Sequence, residues 1–321
     1  MFTLRLAKTK HIWVELMYSI KNISCALFCV FLIWTFFAIL NYSLFVMEER
    51  INNNVTRMSD PNLALPSSPN VTRISNPLNC ALIFFGLPKS FKNIVLPSIE
   101  KYVLAVNPYC DIFIHTYNIS EYSNPRNSEK HEKINTFELL SIENITNVVF
   151  ENLDDFHHRI NVSYYRKYFP EGVGWQYPNS LDNMIMQWNS IQVGWEHMVN
   201  HEAKINKRYR RVGLFRSDVL YTNNIDIQNG KAVTAKFNNM YEWTNDRLFF
   251  GLREYAQIWA TKRFSFVDPY MKTAFGKKTG LHSEMFLYKL LTHWKIPLTL
   301  QDICFQRVRA NGNIKLQDCN H

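Results

Sequence analysis

Between Ile23 and Val46 the chain runs for 24 residues without a charge, ISCALFCVFLIWTFFAILNYSLFV. At about 1.5 Å per residue, a helix of that length crosses the ~30 Å hydrocarbon layer of a bilayer. A cleaved secretory leader has an apolar core of only ~7–15 residues and ends at small residues, which this long aromatic run does not match. Arg5, Lys8, Lys10 and Lys21 stand ahead of the run, and Glu48, Glu49 and Arg50 follow it. Positive charge stays cytosolic, so the pattern predicts a cytosolic tail (1–22), a transmembrane anchor (23–46) and a translocated remainder, a single-pass type II topology. Polar positions then dominate. Met47–Asn79 holds Asn52-Asn53-Asn54, four prolines and several serines, with few large apolar residues, and reads as a disordered stem.

From Cys80 the pattern is that of a folded domain, expected over 80–321. Ala81–Gly86 (ALIFFG) is a continuous apolar run, as in a strand buried on both faces. Val95–Val106 sets apolar residues at helical spacing, with Pro97 near the first turn and Asn107-Pro108 as the stop. Asp111–Tyr117 (DIFIHTY) is a second strand. Strand, helix and strand within about 35 residues form a βαβ unit and predict a parallel sheet with right-handed crossovers.

A third strand is predicted at Asn147–Glu151. Ser180–Met198 places Leu181, Met184, Ile185, Trp188, Ile191, Trp195 and Met198 at spacings of three and four, an amphipathic helix whose aromatic residues read as core. Tyr209–Ile227 reads as a strand broken by Arg216-Ser217-Asp218. Strands at Lys231–Phe237 and Arg247–Gly251 follow, then a helix through Arg263 and a last helix from Ser283 to Trp294, capped by Ser283. Strands alternating with helices predict an α/β domain with a mostly parallel central sheet.

Composition excludes a collagen, a low-complexity chain and a chain disordered throughout, because 47% of the 321 residues are hydrophobic and 15% aromatic. The net charge of +9, from 36 Lys+Arg against 27 Asp+Glu, suits an anionic ligand such as a nucleotide and equally any soluble basic domain. The sequence carries no nucleic-acid-binding motif, so no nucleic-acid partner is expected. Cys25 and Cys29 fall within the apolar run. Cys80, Cys110, Cys304 and Cys319 form an even set, as an oxidising compartment favours. Of the three pairings open to them, short separation favours Cys304 with Cys319, and the places of Cys80 and Cys110 just ahead of predicted strands favour the other pair. None has zinc-ligand spacing. Sequons at Asn54, Asn70, Asn118, Asn144 and Asn161 all lie on the translocated side.

In open α/β sheets ligands bind beyond the carboxyl ends of the strands. Three segments there are polar. In Gly86–Phe91 (GLPKSF), Gly86 permits close backbone approach, while Lys89 and the helix start offer positive potential to a phosphate. The loop is not a Walker loop. At Arg216-Ser217-Asp218, an ionised pair among apolar residues is costly to bury unless it is paired or bound to a ligand. Asp218 there suits a divalent cation or a ribose hydroxyl, the alternative being an internal ion pair with Arg216. At Asn245-Asp246-Arg247, Asp246 serves either an acceptor hydroxyl or a turn. His282 and Glu284, opening the last helix, each suit a general base; a glutamate in a first turn is also favoured by the helix dipole alone.

The segments ALIFFGLPKSF…DIFIHTYN, RRVGLFRSDVLYTNN and NDRLFFGLREYAQIWATKRF together resemble a Golgi-type, type II membrane glycosyltransferase of the GT-A architecture, loosely over residues 80–310. The resemblance implies a Rossmann-like GT-A fold and a lumenal catalytic domain in the Golgi or endoplasmic reticulum membrane. It also implies a nucleotide-sugar donor and a glycan or glycoprotein acceptor. It sets the donor over Gly86–Lys89, places the acidic residue that binds Mn²⁺ or Mg²⁺ and the diphosphate at Asp218, and puts a later acidic residue near the acceptor at Asp246 or Glu284. The usual family motif is Asp-x-Asp, whereas Arg216 stands at its first position. The alternative is that Arg216 and Lys89 neutralise the leaving diphosphate directly, as a bidentate guanidinium can.

Two other readings compete. Gly86–Ser90 also resembles the donor loop of Golgi sulfotransferases that use a 3′-phosphoadenosine 5′-phosphosulfate (PAPS) donor, with Arg216 at the 3′-phosphate, but Phe91-Lys92-Asn93 lacks the hydroxyls that should follow. A membrane-anchored binding domain accounts for the anchor and stem and leaves the βαβ unit unexplained.

Overall fold

Strand β1 (Cys80–Phe85) is buried at every position, as its unbroken apolar run predicts. The computed structural model in which it lies describes residues 79–172, 174–237 and 241–319. The predicted tail, the anchor Ile23–Val46 and all of the stem except Asn79 lie outside these residues. Among the described residues no helix is long and apolar enough to cross a membrane.

A helix over 91–104 follows β1 and leads to β2 (Asp111–Tyr117), which pairs parallel with it. The helix begins four residues ahead of Val95, with wide π-type turns on either side of a short α-type segment, Leu96–Ile99, whose first turn holds Pro97. A hairpin of β3 (Glu121–Asn124) and β4 (Glu129–Lys133) comes next, in a stretch whose polar sequence gives no alternating signal. The third predicted strand is β5 (Ile145–Glu151), parallel to β2. The amphipathic stripe becomes the 27-residue helix Asn179–Ile205.

The predicted strand Tyr209–Ile227 divides at Arg216-Ser217-Asp218 into β6 (Arg211–Arg216), parallel to β1, and β7 (Val219–Tyr221), which leaves the main sheet. Then come β8 (Ala232–Ala235), β9 (Leu248–Leu252), the helices Arg253–Thr261, Arg263–Lys272 and Ser283–His293, and the strands β10 (Leu298–Gln301) and β11 (Phe305–Arg307). The central sheet runs β10-β8-β9-β6-β1-β2-β5. Only β9 opposes its neighbours, so the domain is mixed α/β on a mostly parallel seven-stranded sheet. A second, two-stranded sheet pairs β7 with β11.

The two faces of β1 serve two cores. Ala81, Ile83 and Phe85 join the apolar side of Asn179–Ile205, including Trp188 and Trp195, as that stripe predicts. Cys80, Leu82 and Phe84 join Phe91, Val95, Ile99 and Val103. Helices therefore cover both faces and leave the carboxyl ends of β1 and β6 side by side at one edge. That is where such sheets bind ligands. Disulfides Cys80–Cys110 and Cys304–Cys319 form, the pairing that position and separation favour.

Candidate active site

A cavity of about 550 Å³ opens over the carboxyl ends of β1 and β6. That volume lies within the ~300–1,000 Å³ range of small-molecule sites. Gly86, Lys89, Arg216, Asp218, Asp246, His282 and Glu284 all line it. Gly86 and Lys89 meet Arg216 and Asp218 because parallel β1 and β6 present their carboxyl ends together, while Asp246 arrives just ahead of antiparallel β9 and His282 and Glu284 at the start of the last helix.

The loop after β1 forms one wall. Gly86 takes φ +87°, a left-handed value that its missing Cβ permits, and its N–H donates to Ser190 Oγ at 2.9 Å. Beneath it, Ser190 Oγ lies 2.8 Å from His115 Nδ1, and His115 Nε2 lies 3.2 Å from the Glu151 carboxylate. Lys89 is nearly buried. Its Nζ reaches Glu129 Oε1 at 3.3 Å and lies 4.0 Å from the centre of the Tyr122 ring.

The end of β6 forms the floor. Arg216 Nε and Nη2 donate to the two oxygens of Asp218, each at 2.7 Å, and Nη1 donates to Gln187 Oε1 at 3.3 Å. Burial alone would raise the Asp218 carboxyl. The Arg216 guanidinium, with Lys89 and Arg309 behind it, outweighs burial and holds it below the usual carboxylate range. The internal ion pair weighed from the sequence therefore forms.

It also tests the fit of a divalent cation. Both Asp218 oxygens already accept from Arg216, and among the described residues no group of three His, Cys, Asp or Glu side chains could hold a metal ion. Mn²⁺ and Mg²⁺ favour several hard oxygen ligands. Mg²⁺ is commonly held by one or two carboxylates with substrate phosphates and water, so the fit is poor for one reason: Arg216, paired to both oxygens of Asp218, competes with a cation for that carboxylate.

The opposite wall carries the acid–base groups. Asp246 accepts from the Ser283 hydroxyl, so Ser283 does not cap its helix as predicted; His282 occupies the cap position without a side-chain hydrogen bond. Arg247 Nη2 donates to Glu284 Oε1 at 3.2 Å, and Arg247 Nε lies 4.0 Å from Asp246 Oδ1. One guanidinium thus serves two carboxylates, and their proton affinities diverge. Burial would raise Asp246, but Arg247 and Arg216 hold it low. Burial and the charge of Asp246 push Glu284 up, with Arg247 opposing. His282 sits between Trp175 and Trp243, with ring centres at 5.4 and 4.6 Å, and burial pushes it down to about 4, so it is neutral near pH 7.

Sequence reasoning missed the third wall. Arg307, Arg309 and Lys315 come from the segment after β10, and Arg126 from the β3–β4 hairpin. A signal for the first two exists: Arg307 and Arg309 flank Val308, which is fully buried, so alternation turns both away from the core. Glu129, which holds Lys89, had no such signal in its polar surroundings. Among the described residues, seven cationic side chains line the cavity against three carboxylates, so it favours an anionic ligand. Two buried polar atoms around it, Arg247 Nη1 and Arg309 Nε, lack hydrogen-bond partners, while His282 Nδ1 faces Glu284 Oε2 at 3.5 Å. Buried polar groups are normally paired, so these are open to a ligand.

No protein-family model matches the sequence, and neither does any curated protein. Among solved structures, the apo form of mouse xyloside xylosyltransferase 1 is similar over 69% of this chain and 85% of that one, with 11% sequence identity and a TM-score of 0.38.

Proposed function

We propose that this chain is a glycosyltransferase of GT-A-like build that carries a sugar from a nucleoside-diphosphate donor to a hydroxyl of a glycan or glycoprotein. The observation that carries the reading is the convergence, at the carboxyl ends of β1 and β6, of a phosphate-attracting set of cations with two carboxylates whose proton affinities are driven apart. Transfer needs both features. The bond from the sugar carbon to the phosphate oxygen breaks, leaving negative charge on the diphosphate, which Lys89 and Arg216 face. The acceptor oxygen bonds to the same carbon, and its proton passes to Glu284, whose raised proton affinity suits a general base. Asp246, held ionised, is placed to accept from a sugar hydroxyl, and neutral His282 between two tryptophans lines the acceptor side.

The sulfotransferase reading draws less support, because the Ser90 hydroxyl of the first loop donates to the carbonyls of Arg309 and Ala310 instead of facing a phosphate. The cellular setting is part of the proposal: a lumenal domain on a type II anchor in Golgi or endoplasmic reticulum. Two disulfides suit an oxidising lumen. The sequon residues Asn118, Asn144 and Asn161 are all exposed. A thermal-shift panel on the detergent-solubilised full chain tests the donor. A nucleoside diphosphate at ~100 times its Kd adds about 2.7 kcal/mol of stability. Stabilisation by 3′-phosphoadenosine 5′-phosphate alone would transfer the assignment to sulfuryl transfer, and no shift with either would leave a binding domain. Removal of N-glycans from chain expressed in a eukaryotic cell should increase its gel mobility, and unchanged mobility would count against the lumenal placement.

A further inference from the structure

Arg309 is a buried cation that no carboxylate meets at contact distance, although Asp218 and Glu129 act on it from further off. It is 6% exposed, lines the cavity with Lys89 and Arg216, and its Nε is buried without a hydrogen-bond partner. Its neighbours are committed elsewhere. Arg216 is engaged by both oxygens of Asp218. Arg307 donates from Nε and Nη2 to Asp318 at 2.8 and 2.6 Å. A buried guanidinium left in this state is costly unless an anion arrives to match it.

Its backbone is held firmly enough for the side chain to be placed with purpose. Cys304–Cys319 closes the loop that carries it, and β11 in that loop pairs with β7. Val308 N–H donates to the Asp218 carbonyl at 2.8 Å. Ser90 Oγ donates to the carbonyls of Arg309 and Ala310, each at 3.2 Å. Glu129 Oε1 accepts from Ala310 N at 2.8 Å while the same carboxylate holds Lys89. One frame therefore sets Lys89 and Arg309 around the end of β6, where Arg216 already engages both oxygens of Asp218.

We propose that this cavity binds a diphosphate without a divalent cation, Arg309 of the disulfide-closed loop supplying the positive charge that a metal would otherwise bring. The identity of the diphosphate as part of a sugar donor rests on the function proposed above; the anion site itself does not. Titration calorimetry of the solubilised full chain with inorganic pyrophosphate, in EDTA and then in Mn²⁺, tests it. Binding in EDTA, unchanged by Mn²⁺, is the expected result. Arg309→Gln should weaken that binding by roughly 10- to 100-fold, the loss of one charge-assisted contact. Its melting temperature without ligand should not fall, because the variant removes a buried charge that burial and the neighbouring Arg307 and Arg216 disfavour; a merely structural Arg309 would lower it. Binding that appears only with Mn²⁺, or an Arg309→Gln protein that binds as wild type, overturns the proposal. The EDTA arm uses the wild type and decides the metal question even where the variant folds poorly. Pyrophosphate binding in EDTA without hydrolysis or transfer of any nucleotide-sugar would sink the donor reading and leave this site standing.

Discussion

Arg216 and Asp218, two positions apart at the end of β6, close on one another in a bidentate pair with both N···O distances at 2.7 Å. The pair sits on the cavity floor, with the Asp218 side chain 7% exposed and that of Arg216 19%. Its geometry engages each aspartate oxygen once and leaves the arginine a third nitrogen turned to Gln187.

Breaking one half of a buried pair costs more than removing both. Asp218→Asn should therefore destabilise the domain by about 3 kcal/mol, and Arg216→Gln with Asp218→Asn by less than the sum of the single changes. Urea unfolding of the three variants measures this. Additive losses would mean the pair contributes nothing as a pair.

Glu284→Gln should lower the transfer rate by about 10²–10⁴-fold, the range for loss of a general base. The folded-state proton affinity of Glu284 lies above its ordinary value of 4.5. A group raised in this way adds stability at low pH and loses it as pH climbs through the folded value. Relative to wild type, the Gln variant should gain stability as pH rises above 4.5. It should also lack the acidic limb of the activity profile. A variant that keeps that limb would assign the base elsewhere.

His282 shifts in the opposite direction. Burial lowers it from 6.5 to about 4, so its contribution is complete above pH 6.5 and is lost as pH falls towards 4. The shift corresponds to about 3 kcal/mol at most. Melting temperatures between pH 7 and 4.5 should fall more steeply for wild type than for His282→Gln. Parallel curves would show that the imidazole titrates freely.

The two disulfides should separate stability from binding. Each closes a loop of moderate size, 30 and 15 residues apart in sequence, and removing either as a double alanine variant should cost roughly 3–4 kcal/mol. Only Cys304→Ala with Cys319→Ala should also weaken pyrophosphate binding, since that loop carries Arg307, Arg309 and Lys315. Equal binding losses in both double variants would mean that binding merely follows global stability.

The sequence by itself determined the frame. A run such as ALIFFG has one low-cost resting place, a strand covered on both faces, and the spacing of Leu181, Met184, Trp188 and Trp195 admits one buried helical stripe. Parallel pairing then obliges Gly86, Lys89, Arg216 and Asp218 to share an edge, because strand ends of one direction lie together. Tertiary structure alone decided what occupies that edge. It turned Arg216 onto both oxygens of Asp218, drew the Ser283 hydroxyl from a helix cap to Asp246, and reversed β9. It also brought Arg309 across from the far end of the chain, through the β7–β11 pairing and the Cys304–Cys319 link. Periodicity records which face of an element is buried, a local matter settled by water. Which charges meet over the cavity depends on contacts between elements far apart in sequence, and burial makes those contacts strong enough to override each residue's local preference.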